Sequence, residues 1–457
     1  MRRFYGAVGR LAAGAVAVVI AVQGGVGAAS AETLVDALAK AYQNNPTLLA
    51  GRAELRARDE LVAQALSGWR PTVTLNGEVG REWQESSPGG SETLTPRSAN
   101  LNLNQPLYRG GRTVAATDQA ENLVLSQRAQ LASVEQNVLL NTVAAYMDVV
   151  RDQAVLQLTI NNEQVLQRQL QAARDRFEVG EITRTDVSQS ESRLALATAN
   201  RIQAEGNLTA SRAAYRELVG DMPGTLEAPE LLLTLPATQD EAIAGSVQNP
   251  AVLAAIFAEK AAVEGADVVF GELLPQLSLN GDLTTGEDLS FEGVRTDGAS
   301  VTAQLVVPLY QGGEVTSRLR EAKQIASQRR LQIIEARRNA ARQATTAWEA
   351  LQTAIAQIES FQAQARAADI ALEGVRQEAQ VGARTILDVL DAEQEALDAQ
   401  VNVVTAQRDR VVAGFQVLAA VGQLTAPDLD LPVSYYDVDE HYFEVRDKWY
   451  GLGAPIE

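Results

Sequence analysis

Four carboxylates have the types and spacing to do chemistry together: Asp388, Asp391, Glu395 and Asp398, all inside "VGARTILDVLDAEQEALDAQ" at 381–400. At about 100° per helical residue they share one arc of about 80°, and Leu387, Leu390, Leu397, Val401 and Val404 fill a neighbouring arc. One face of such a helix packs and the other meets water. Crowded like charges raise one another's pKa and attract cations, so the stripe suits either an ordinary solvated surface or the wall of a cation-selective constriction.

Other chemistry is poorly provided for. The chain has one histidine, His441, no cysteine and no Gly-Lys-Ser/Thr phosphate loop. Carboxylate catalysis is the only route left, and no pocket pattern surrounds Asp388 and Asp391, so no catalytic residue and no enzyme is expected. The missing cysteines exclude disulfides, thiolate metal sites and a lipid-modified N-terminal cysteine. His441 lies in the aromatic-rich "SYYDVDEHYFEVRDKWYGLG" without co-ligands, so no metal or cofactor is expected, and 433–457 is assigned as a structural tail.

The elements that must position the acids follow from the rest of the chain. Arg2, Arg3 and Arg10 precede an apolar run from Leu11 to Val22 and the small residues Ala29-Ser30-Ala31, the pattern of a secretory signal occupying 1–31. The run is shorter than the roughly 20 residues of a spanning helix, which disfavours an uncleaved anchor. Removing those three arginines leaves 36 basic against 58 acidic residues, a net charge of −22, which argues against nucleic acid as a partner. No later segment has the length and apolarity of a transmembrane helix, so a membrane crossing would need strands.

Internal repetition organises the 457 residues. "PLYRGG" at 106–111 returns as "PLYQGG" at 308–313, and "FEVGEITRTDV" at 177–187 returns as "AQVGARTILDV" at 379–389, both displaced by 202 residues. Asn45-Pro46 returns as Asn249-Pro250. The predicted repeats are 32–236 and 237–432. Each holds two runs of alternating polarity, about 71–80 and 98–107, then about 275–285 and 299–309, each near the ten or so residues that span a bilayer when tilted. Trp69, Trp83, Tyr108 and Tyr310 flank them as interfacial aromatics do. The intervening loops, 81–97 and 286–298, are expected in water.

The remainder is rich in Ala, Gln, Arg, Glu and Leu and is predicted helical. Long helices are expected over 112–177 and 314–378, and shorter ones over 33–68, 182–220, 239–270 and 384–421. We expect 182–220 and 239–270 to stack end to end beside the first long helix, with 384–421 pairing with 33–68. Four strands cannot close a barrel, since about eight is the smallest that works, so closure requires several copies. A trimeric adhesin or structural coiled coil is the alternative, although its sustained a/d heptads are not evident.

The signal peptide, the duplicated strand-strand-long helix-short helix unit, the PLY-x-GG repeats and the "VGARTILDVLDA" segment together resemble the TolC family of outer-membrane export channels, over essentially all of 32–432. The resemblance implies a mainly α chain with a membrane β-barrel: a homotrimer of twelve strands and twelve helices forming a barrel and a periplasmic tunnel. It implies an exit channel for type I secretion or small-molecule efflux in the outer membrane of a Gram-negative bacterium. Its partners would be outer-membrane lipid, a periplasmic adaptor protein and an inner-membrane ABC or proton-driven pump. It places Asp388, Asp391, Glu395 and Asp398 at the lumenal constriction and the adaptor-docking tip at Val179, Gly180, Val381 and Gly382. It also makes Arg384 a gate lock toward Thr185 and Asp186 of a neighbouring inner helix pair. A member of that family has a tyrosine where this chain has Ala379, so the resemblance implies that one lock contact is missing here. The counterparts of the four acids in the first repeat are Asp186, Gln189, Arg193 and Leu196, so the stripe is expected to be dispensable for the fold.

Overall fold

The computed structural model describes residues 32–229, 234–451 and 453; the proposed signal peptide lies outside them. Thr33 opens helix α1 (Leu34–Asn44) with a capping box, its hydroxyl accepting from the Asp36 amide while the Asp36 carboxylate accepts from the Thr33 amide. The expected single helix over 33–68 is broken at Asn45-Pro46, and α2 runs Pro46–Leu66. Proline at the first helical position lacks the N–H that would continue α1, and Asn45 caps the new start. The second repeat does the same. The segment 239–270 divides into α5 (Gln239–Gly245) and α6 (Pro250–Phe270), and Asn249 caps α6.

The strands are β1 (Thr72–Val79), a hairpin of β2 (Glu82–Ser86) and β3 (Gly90–Leu94), β4 (Arg97–Arg109), β5 (Gln276–Glu287) and β6 (Arg295–Val306). The loop expected over 81–97 is therefore largely a two-stranded ribbon. The main sheet is antiparallel in the order β1-β4-β5-β6, so the two repeats meet at the β4–β5 pair. Period-2 alternation divides the faces. Asn76 donates to Asn102 and Asn102 to Asp282, while Asn104 donates to Asn280 and Asn280 to Gln304, giving two polar rows across the strands. The other set, Val73, Leu75, Leu101, Leu103 and Leu283, is apolar and exposed. Strands β1 and β6 are open edges within the chain. β6 stops at Val306, short of the expected 309. Its partner β5 begins at Gln276, directly after Pro275, which has no amide to extend the ladder.

Two helices of 67 residues follow the PLY-x-GG motifs, α3 (Arg112–Glu178) and α7 (Glu314–Gln380), each about 100 Å long at 1.5 Å per residue. Each turns back into a helix of 36 residues, α4 (Arg184–Val219) or α8 (Ile386–Val421). Their seams are made largely of alanine, which lets the backbones approach: Ala344, Ala347, Ala413 and Ala420 are buried between the second pair and α5, and Ala368, Ala396 and Ala399 farther along it.

The stacking differs from the expected order. The Asn45 side-chain amide donates to the Leu218 carbonyl at the end of α4, at 2.9 Å, and Asn249 donates to Ala419 and Ala420 at the end of α8. Thus α4 abuts the α1–α2 junction and α8 abuts the α5–α6 junction, the reverse of the pairing expected. The last carbonyls of a helix have no partner within it, and the capping asparagine supplies one. The tail carries α9 (Glu440–Arg446), which packs on α2; His441 Nδ1 lies 3.1 Å from the buried Asp59 carboxylate, and Arg446 reaches Glu121.

Candidate functional site

Both helical hairpins turn on a glycine. At Gly180 (φ 81°) and Gly382 (φ 77°) the chain enters the left-handed region, and the Glu181 and Ala383 amides reach back to the Arg176 and Glu378 carbonyls at 2.9 Å. This leaves Val179 and Val381 projecting at the turns, 71% and 81% exposed. One ion pair clamps each turn: Arg176–Glu181 in the first and Arg384–Glu378 in the second. Arg384 therefore bonds within its own turn at 2.8 Å, and in this chain its guanidinium is not on Thr185 or Asp186. The charge at equivalent positions is opposite, Arg176 against Glu378, and Ile182 stands where the second turn has Arg384, so the first turn carries no counterpart of that guanidinium.

The four acids do not act alike. Asp388 is the third residue of α8, and its carboxylate accepts from the Thr385 amide (2.9 Å) and hydroxyl (2.8 Å). Asp186 does the same for Thr183 at the start of α4. The fold thus uses an aspartate here in both repeats, and the expectation that the whole stripe is dispensable is corrected for Asp388. The capping bonds hold both carboxyls below the usual carboxylate range, from the Thr385 amide and hydroxyl at Asp388 and from the Thr183 hydroxyl and amide at Asp186. A depressed folded pKa means the contribution is complete above the ordinary value of about 3.9 and is lost as pH falls through the lower folded value. Hydrogen exchange of the Thr183 and Thr385 amides should therefore show unchanged protection from pH 7 to 5 and lose it in more acid solution.

Asp391 accepts from Arg193 of α4, a contact between the two hairpins. Asp398 accepts from Gln394 within α8 at 2.8 Å, and Glu395 is exposed. Leu390 is only 1% exposed and sits among Leu166 of α3, Leu194 and Ala197 of α4, and Ile386. Leu387, expected to pack beside it, lies in the first turn of α8 and is 38% exposed.

Sequence reasoning missed Glu393. It is 7% exposed, and Oε1 accepts from Arg376 of α7 at 2.6 Å and from Gln169 of α3 at 2.7 Å. Charge-assisted bonds of this kind compensate the desolvation of the carboxylate. The signal was present: Arg174 and Glu191 sit 202 residues earlier and also pair, at 2.8 Å, but exposed. The second copy is buried because α8, and not α4, also leans on the opposite long helix. Asp391–Arg193 and Glu393–Gln169 lie beside the Leu390 plug, so these two bonds between the hairpins sit about two turns or more beyond Arg384, where the lock was expected, and Arg408–Asp148 joins α8 to α3 farther along.

This architecture of two 67-residue helices, paired inner helices and a half-open sheet has known counterparts. The family model described as "Outer membrane efflux protein" matches residues 37–221 and 246–423. The chain belongs to the outer membrane efflux protein family. It is 35% identical over 434 residues to the outer membrane efflux protein BepC of Brucella suis, covering 94% of this chain and 93% of that one. It is 28% identical to the outer membrane protein TolC of Vibrio cholerae, covering 87% and 92%. Among solved structures, the Campylobacter jejuni CmeC outer membrane channel shares the fold, with a TM-score of 0.78 at 15% identity, over 91% of this chain and 89% of that one. An outer-membrane efflux protein of this family is a transport component, and among the described residues no helix is long and apolar enough to cross a membrane.

Proposed function

We propose that three copies of this chain form one exit channel for tripartite export, with a twelve-stranded barrel, a helical tunnel and an acid-lined constriction near the hairpin tips. The observation that carries this is the sheet. Four strands with two open edges, one apolar exposed face and one face crossed by polar rows are a sector of a wall, with no closed core of their own. Joining β6 of one copy to β1 of the next closes it with lipid outside and water inside. The hairpins then extend the wall away from the membrane, bringing Asp388, Asp391, Glu395 and Asp398 to the lumen. The projecting Val179 and Val381 at the Gly180 and Gly382 turns offer an apolar seat for a periplasmic adaptor that couples to an inner-membrane pump. The gate that docking opens is held by the contacts between the hairpins.

Planar-bilayer recording of the purified oligomer tests this. The wild type should give discrete cation-selective conductance blocked by polyvalent cations, and Asp388→Asn combined with Asp391→Asn should keep the oligomer while weakening the block. Absence of current would favour a structural or adhesive protein, and an unchanged block would remove the acids from the lumen.

A further inference from the structure

We infer that Arg193 is the counter-ion of the constriction and sets its ion selectivity. This rests on the lumenal placement of the acids proposed above. Arg193 and Asp391 are 198 residues apart and belong to different hairpins, yet the guanidinium lies on the carboxylate. The duplication makes the arrangement uneven. Arg193 occupies in α4 the position that Glu395 occupies in α8, so one basic residue stands where the repeat unit elsewhere presents an acid.

The other acidic groups near it are differently engaged. Asp388 is bonded to its own helix start, Glu393 is buried on Arg376 and Gln169, and Asp398 meets only the neutral Gln394. Asp391 alone among the four stripe acids is matched by a cation from the opposite hairpin. In a trimer three carboxylates at this level would face three guanidinium groups, and the net negative charge would come from Asp388, Glu395 and Asp398. Opposite charges in contact cancel at the distance of a passing ion, so the Asp391 level attracts cations far less than its residue type suggests. The pair also joins α4 to α8, so moving the hairpins apart bares Asp391, and cation preference rises as the constriction widens.

The test measures the reversal potential in a salt gradient and block by a trivalent cation, using full-length oligomers in planar bilayers. Arg193→Gln should shift the reversal potential toward the cation limit and tighten the block by roughly tenfold. Arg193→Lys should stay near the wild type. In an Asp391→Asn background Arg193 is left as an unpaired positive charge at this level, so cation preference and block should fall below the wild type, and adding Arg193→Gln should restore them toward it. The pair is exposed, so these variants should assemble normally. Glu395→Gln with Asp398→Asn is the control for lumenal placement and should weaken selectivity. If that control moves while Arg193→Gln leaves selectivity and block unchanged, the counter-ion assignment is overturned alone. If neither moves, the lumenal placement fails with it. An Asp391→Asn variant that Arg193→Gln does not bring back toward the wild type would also overturn it.

Discussion

Gly110→Ala should abolish most of the assembled protein, seen as loss of heat-resistant oligomer on gels. Gly110 has φ 66°, where an alanine is strained by about 1–2 kcal/mol. Its added methyl would also stand 2.2 Å from the Gly271 carbonyl oxygen and 2.9 Å from the Leu274 Cβ. Both are fixed by backbone, so the strand β4-to-α3 corner and the α6-to-β5 corner would have to separate. Gly271 faces the same crossing from the other side, with a methyl there falling 2.6 Å from the Gly110 carbonyl oxygen. The crossing places the sheet on the helices, and separating it disturbs both. Gly312, the equivalent in the second repeat, has φ 65° but open space within the chain, so Gly312→Ala should carry only the conformational strain. Equal damage at both would show that crowding inside the chain is not the cause at Gly110.

Leu390→Ala is expected to lower stability by about 2–5 kcal/mol, the usual range for truncating a buried leucine, and to raise single-channel conductance. Leu390 fills the space between Leu166, Leu194, Ala197 and Ile386, and its neighbours Asp391 and Glu393 make the polar bonds between the hairpins. A cavity there loosens the apolar seat, and the two flanking bonds lose the register that the plug supplies. The inner helix α8 would then separate more readily from α3 and α4. Leu387→Ala, one turn earlier and already 38% exposed, should change stability much less. A Leu390 variant that is destabilised but conducts like the wild type would show that this junction supports the fold without holding the gate.

Much of this was legible in order along the chain. The 202-residue displacement appears again in equal helix lengths, 67 with 67 and 36 with 36, because each repeated marker is itself a start or stop signal. Gly180 and Gly382 end the long helices, and Thr183 and Thr385 begin the short ones. Alternation of leucine with asparagine gave β4 its two faces for the same local reason. Asn45-Pro46 and Asn249-Pro250 mark the repeat and also break the helices, because proline lacks the amide that would continue the preceding one.

The duplication, most of the elements and the family could be read from neighbouring positions alone, since caps, turns and polarity periods act over a few residues. Which helix ends meet and which charges pair is set by the packing of the folded chain. Asn45 finds Leu218, Arg193 finds Asp391 and Gln169 finds Glu393 across 173, 198 and 224 residues. No local periodicity encodes such meetings; they follow from how two long hairpins lie against each other, and that same packing leaves Glu191 in water while it buries Glu393.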